Sequence, residues 1–200
     1  MNIRKYLFIF LFYFISLNNS HSMGADVFVQ STVNRASSIL SENISKDQKI
    51  LELKKIAKET VDIRGIGFYT LGPIRKKLND EQKQKYVKLF EQYFLKSFSS
   101  RLAEYTNPEI DVYDKEVLNE NYTIVNSLLK GTNERPEVKI DWRIYTKNPD
   151  NPLIRDLIIE GLSLARTQKE EFASILNSNN GNINSLFKVL KSSVMSLLLL

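Results

Sequence analysis

The sequence predicts an α+β domain in which helices pack over one face of a curved, about four-stranded antiparallel sheet. Three observations carry that expectation. Apolar residues recur at helical spacing up to about residue 105, at a spacing of two from Pro108 to about residue 162, and at helical spacing again from Leu164. The connections inside the central block are short and turn-rich, which makes a meander. Helices before and after a single sheet are the order of an α+β domain with its helices layered on one sheet face.

The chain opens with Met1-Asn2-Ile3-Arg4-Lys5, then the apolar run Tyr6 to Leu17, then Asn18-Asn19-Ser20-His21-Ser22. Positive, apolar and polar in that order make a secretory signal peptide over residues 1–22. The apolar run is about a dozen residues, short of the roughly 20 that cross a bilayer as a helix, so an uncleaved anchor is disfavoured. Ser20 and Ser22 are the small residues a signal peptidase needs, which puts cleavage near Ser22. A cut after Ala25 would place Met23 where a small residue belongs. Residues 23–200 then form a single domain, long enough to bury roughly 70% of the unfolded surface.

Two amphipathic helices come first, on Val29, Val33, Ala36 and Leu40, and on Ile50, Leu53, Ile56, Ala57 and Val61, with Ser45 or Lys46 near the second start. Gly65-Ile66-Gly67 reads as a break between helices; with Thr70 closing it and no strand before it, it lacks the context of a phosphate loop. The next helix is capped by Asn79 with Gln82 three residues on, a capping box, and runs to Tyr105. One side of it carries Tyr86, Phe90, Tyr93, Phe94, Phe98, Leu102 and Tyr105. Strands follow at about 109–117, 121–130 and 153–162, with the clearest between them, where Val138, Ile140, Trp142 and Ile144 alternate with Lys139, Asp141, Arg143 and Tyr145. Helices at Leu164 to Leu176 and from Ile183 to about Val194 close the chain.

Composition excludes more than it selects. The formal charge of +5 falls to +3 once Arg4 and Lys5 are removed, which makes no case for nucleic acid. There is no cysteine, and the single histidine, His21, lies in the signal peptide. The mature chain therefore lacks Ser-His and Cys-His machinery and the common zinc ligands, leaving Asp, Glu, Lys and Tyr for acid and base work. Asp156 and Glu160 stand about 13 Å apart in an extended segment, too far for a retaining carboxylate pair, and read as a solvated strand face with Glu160 near a bulge at Gly161. Asp111, Asp114 and Glu116 lack the spaced glycine of a calcium loop. No metal or cofactor is expected. The aromatic stripe fits either a packed core or the wall of an apolar ligand cavity.

Leu71-Gly72, then Asn79-Asp80-Glu81-Gln82 opening an aromatic helix that ends Leu102-Ala103-Glu104-Tyr105, resembles the MlaC (toluene-tolerance) family of periplasmic phospholipid-binding proteins. So do Asp156-Leu157-Ile158-Ile159-Glu160-Gly161-Leu162-Ser163-Leu164, Lys169-Glu170-Glu171-Phe172 and the break at Asn180-Gly181. The chain departs from the family pattern at Arg75 and at Pro149-Asp150-Asn151-Pro152-Leu153. The resemblance implies a nuclear-transport-factor-like cone with a lipid cavity and a periplasmic location. It implies a carrier, not an enzyme, passing phospholipid between an outer-membrane lipoprotein complex and an inner-membrane ABC transporter complex, with transient membrane-surface contact. The lipid tails are then expected between Phe90, Tyr93, Phe94, Phe98 and Leu102 on one side and Val138, Ile140, Trp142 and Ile144 on the other, with Leu157 or Ile159 and Phe172 closing the far end. Two rivals stand beside this: a cone-fold isomerase or hydratase using a Tyr with a buried carboxylate, and a periplasmic adaptor with a filled core that acts through its surface or Leu197 to Leu200.

Overall fold

The computed structural model describes residues 23–133 and 135–196. The signal peptide, its cleavage site and the Leu197 to Leu200 tail lie outside the described residues. Helices α1 (Ala25–Ser41), α2 (Lys46–Thr60), α3 (Ile63–Thr70) and α4 (Asp80–Leu102) come first, with a 3₁₀ turn at Gly72–Lys76 before α4. Strands β1 (Ile110–Asn119), β2 (Tyr122–Leu129), β3 (Val138–Tyr145), β4 (Leu153–Ile159) and β5 (Leu162–Ser163) follow, and α5 (Leu164–Asn177) and α6 (Ile183–Ser196) end the fold. The strands lie side by side in chain order, each antiparallel to the next. The expected four-stranded meander is therefore there, extended by the two residues of β5. No described helix is long and apolar enough to cross a membrane.

Local chemistry sets the helix starts. Ser45 and Gln48 form a capping box on α2, and Asn79 and Gln82 form the expected one on α4. Each satisfies two backbone groups that a helix start leaves unpaired. Gly65 and Gly67, expected to break the helix, lie inside α3. Asp62 caps that helix by accepting from the Gly65 amide at 2.7 Å, which offsets part of the cost of glycine in a helix. Gly67 has a packing reason: a Cβ there would come within 2.8 Å of Cδ1 of Phe90, so its bare backbone lets α3 lie against the ring of Phe90.

The corner between α2 and α3 is tied to the sheet. Val61 bridges Ile154, and the Asp62 amide donates to the Ile154 carbonyl at 3.0 Å. Asp62 also receives Arg155 Nε at 2.5 Å. The same guanidinium sits 4.4 Å over the Tyr145 ring and donates to the Tyr122 hydroxyl at 3.1 Å. Arg155 is the extra residue of a β-bulge: Ile144 pairs with Ile154 and Arg143 with Asp156, leaving Arg155 without a partner on β3.

The end of β4 differs from its reading as a solvated face. Glu160 and Gly161, at φ 49 and 81, are the two central residues of the tight turn into β5; the bulge lies upstream at Arg155. Asp156 is buried, accepting from Ser163 Oγ at 2.6 Å and from the Ala165 amide at 3.0 Å. Its carboxylate thus sits at the N-terminus of α5, where a helix start offers free amides. Replacing Gly67 with Ala should force the Phe90 ring to shift and lower stability by about 1–3 kcal/mol, read as a lower urea midpoint with an unchanged slope.

Candidate functional site

The helix-facing side of the sheet forms four cross-strand rows, and burial deepens along them. At one end Ile110, Leu129 and Val138 are neighbours and all half-exposed. The next row holds Val112, Ser127, Ile140 and Ile159, and the third holds Val125, Trp142 and Leu157. In the last, Thr123, Ile144 and Ile154 are buried, while Val117, which continues the row onto β1, is exposed. Over β2, β3 and β4 the apolar face is therefore closed at one end of the strands and open at the other.

Helix α4 lies over this face at a remove. Its close neighbours are α2, α3 and α6, while α1, α3 and α5 approach the strands. Aromatic rings stack along the helix. Tyr86 stacks on Phe90 at 5.7 Å between centroids, Phe90 on Phe94 at 6.2 Å, and Phe94 on Phe98 at 5.4 Å. Phe172 of α5 meets Phe90 edge-on at 6.3 Å and Tyr93 at 6.1 Å. Tyr86 and Phe90 are fully enclosed, whereas Phe94, Phe98 and Leu102 are half-exposed. The helix is graded in the same sense as the sheet. Arg135, from the loop joining β2 and β3, sits 5.1 Å from the ring of Tyr105 just past α4, so the half-exposed end of the helix lies at the open end of the sheet.

Most of the expected lining residues meet. Phe90, Ile140, Trp142, Ile144 and Phe172 belong to one buried cluster, with Tyr93, Phe94, Phe98, Val138 and Leu157 packed against it. Leu102 and Ile159 are half-buried and not part of that cluster. Ile110, Val112 and Leu129 lie on the same face of the sheet and were not among the expected lining residues. The departure at 149–153 lies beside the closed end, where Pro152 and Ile154 are buried.

The polar groups inside are paired. Trp142 Nε1 donates to Ser127 Oγ at 2.8 Å, and that hydroxyl donates to the Ile140 carbonyl at 3.0 Å. Thr70 Oγ1 donates to the Gly67 carbonyl at 2.7 Å, so the Tyr86 hydroxyl, 2.8 Å away, must donate to Thr70. Tyr93 donates to Gln168 Oε1 at 2.8 Å. Burial holds the phenols of Tyr86 and Tyr93 above their ordinary range. The buried carboxylate an isomerase would need is Asp156, and both its oxygens are engaged at the start of α5. No cluster of metal-ligating side chains occurs among the described residues.

Fold and site together define an α+β protein built around a graded apolar interior that opens at one end. Residues 30–192 match the family model of the MlaC protein, and the chain belongs to the MlaC family. Among solved structures it is similar to a phospholipid-binding protein from Ralstonia solanacearum determined in complex with a phospholipid, with a TM-score of 0.72 and 19% sequence identity over 86% of this chain and 98% of that one. At that identity the likeness establishes the shared fold. Against curated protein sequences the chain has no match.

Replacing Ser127 with Ala should strand the buried indole N–H of Trp142 and cost about 1–3 kcal/mol, measured by chemical denaturation against Trp142→Phe, which leaves no donor to strand. Stability should also decline as pH rises above about 10, where Tyr86 ionises in the unfolded chain while the folded chain keeps it neutral. Its contribution is complete below that pH. Tyr86→Phe should flatten the decline by up to about 1.4 kcal/mol per pH unit, measured by denaturation at successive alkaline pH values.

Proposed function

We propose that the protein is a periplasmic carrier that shelters phospholipid tails between α4 and the sheet and moves lipid between the outer and inner membranes, receiving it from or delivering it to an outer-membrane lipoprotein complex and an inner-membrane ABC transporter complex. The observation that carries this reading is the matched gradient of burial on the two walls. The rings of α4 and the rows of the sheet are both enclosed at one end and half-exposed at the other, so an apolar chain entering at Phe94, Phe98 and Val138 meets apolar surface on both sides. Membership of the MlaC family supports it, as does the phospholipid held by the structurally similar Ralstonia solanacearum protein.

The energetics explain why such a carrier is needed. Each CH₂ removed from water is worth about 0.8 kcal/mol, so two chains of roughly 16 carbons are worth about 25 kcal/mol gross. Free diffusion of the lipid through water is negligible on that scale. A carrier has only to match the shelter of the bilayer, because the tails pass from one apolar environment to another, and binding much more tightly would block delivery. Stiff rings suit this task, since they hold a wall in place and leave the contact with the tails adjustable at the half-exposed end. The walls expected to hold the tails are Phe90, Tyr93, Phe94, Phe98 and Leu102 against Val138, Ile140, Trp142 and Ile144, with Leu157, Ile159 and Phe172 at the margins.

Native mass spectrometry of the protein purified without detergent tests the reading. The expected spectrum shows the added mass of one phospholipid, released on denaturation. Bare polypeptide, persisting after incubation with phospholipid vesicles, would overturn it. Phe94→Asp places a charge on the half-exposed wall rather than in the enclosed core, and should leave a folded protein with at least tenfold less bound lipid; a folded variant with its full complement would remove α4 from the site.

A further inference from the structure

We propose that Arg101 of α4 and Arg135 of the loop joining β2 and β3 form a phosphate subsite at the mouth of the interior, one that selects phospholipids of net negative charge over zwitterionic ones. The subsite presupposes the carrier function proposed above, since a lipid with its tails between α4 and the sheet leaves its phosphate at this opening. Arg101 stands seven residues after Phe94 and three after Phe98. It therefore lies on the same face of α4 as those rings, about two turns and one turn nearer the open end. Its guanidinium reaches the lining: burial and the Glu171 carboxylate raise the Tyr93 phenol, and Arg101 is near enough to oppose them. Tyr105 follows one turn later, where the amides of Glu104 and Tyr105 donate to the carbonyls of Arg101 and Leu102 at 3.3 and 3.0 Å. Arg135 sits 5.1 Å over the Tyr105 ring, so the two guanidiniums approach the opening from the helix side and from the sheet side.

Neither arginine forms an ion pair among the described residues. Position sets them apart from other unpaired cations: Lys76 and Lys77, for example, precede α4 and stand at its opposite end. The carboxylates of the open end are engaged, Glu104 by Lys46, Glu109 and Asp111 by Lys130, and Glu160 by the Lys139 amide. Glu137 alternates with the inward-facing Val138 and so turns to the other side of the sheet. A phosphate offers a guanidinium two oxygens that match its planar fork. A head group whose only charge is that phosphate, such as glycerol phosphate, gains from both arginines. A choline or ethanolamine head group brings its ammonium beside two cations, and the one ring placed to receive it, Tyr105, is already covered by Arg135.

The test is a competition between two lipids drawn from one membrane. The purified protein is incubated with an excess of vesicles of equimolar phosphatidylcholine and phosphatidylglycerol carrying the same acyl chains, and the bound lipid is weighed by native mass spectrometry. Because both lipids come from the same vesicle, any attraction of the protein to that surface acts on both alike. An exposed ion pair is worth up to about fivefold, so phosphatidylglycerol should be bound over phosphatidylcholine by about threefold or more. Arg101→Gln with Arg135→Gln should bring the ratio to about one with the total bound lipid unchanged; both side chains are exposed, so the fold should tolerate the change. The control Lys76→Gln with Lys77→Gln removes the same charge at the other end of α4 and should keep the parent ratio. Equal binding of the two lipids by the parent, an unchanged ratio in the arginine variant, or an equal loss of preference in the control would each overturn the subsite while leaving the carrier function standing. Bare polypeptide in the parent sample would instead overturn the carrier function, and the subsite with it.

Discussion

The distance between α4 and the sheet is the constraint on which the rest of the structure depends. A helix packed directly on a sheet would bury aliphatic side chains in a thin layer. Here α4 leans on α2, α3 and α6, and Tyr86, Phe90, Phe94 and Phe98 form one ladder of rings along it. That arrangement makes demands elsewhere. The α3 helix must come close enough to brace Phe90, which only a residue without a side chain permits at Gly67. Phe172 must stand edge-on to Phe90, and its place on α5 is fixed because Asp156 anchors the first turn of that helix to β4.

Polar groups inside the apolar layer follow the same logic. Trp142 brings an N–H and Tyr86 an O–H into a region that offers no water. Each is given one small hydroxyl as partner, Ser127 and Thr70, which is itself tied to a backbone carbonyl. Such pairs remove the penalty of an unsatisfied buried donor while leaving no free polar group on the walls to hold water or attract a charged solute. A chain without cysteine has no cross-link to fall back on, so its stability rests on the packing of this layer.

Much of this was legible in the sequence, and the parts that were not share a cause. The capping box at Asn79 and Gln82 and the strict alternation in Val138 to Tyr145 are local signals, and both elements stand where those signals put them. The stripe on α4 and the inward residues of β3 were readable because large apolar side chains repeat there at one period. The helix through Gly65 and Gly67 was missed because Gly67 answers Phe90, distant in sequence, and because its cap, Asp62, also serves the sheet through Arg155. Asp156 looked like a surface carboxylate for the same reason: its partners, Ser163 and Ala165, come to it only once the turn at Glu160 and Gly161 has folded the chain back. Nor did the sequence indicate that burial would fade along both walls toward the same end, since that depends on how the strands register and where α4 stops.

The simple strand order has its own consequence for how the chain becomes a protein. Every ladder of the sheet joins segments adjacent in sequence, so the sheet can assemble by successive short closures, each with little loop entropy to overcome. The slower closures belong to the helices that precede the sheet. α1 packs against β1 and β2, with Gln30 accepting from the Val112 amide and Ser37 donating to the Pro108 carbonyl across separations of 82 and 71 residues. A chain that emerges N-terminus first must therefore keep its first helix waiting, apolar face uncovered, until the first hairpin has followed it out, and that interval is when it is most exposed to aggregation.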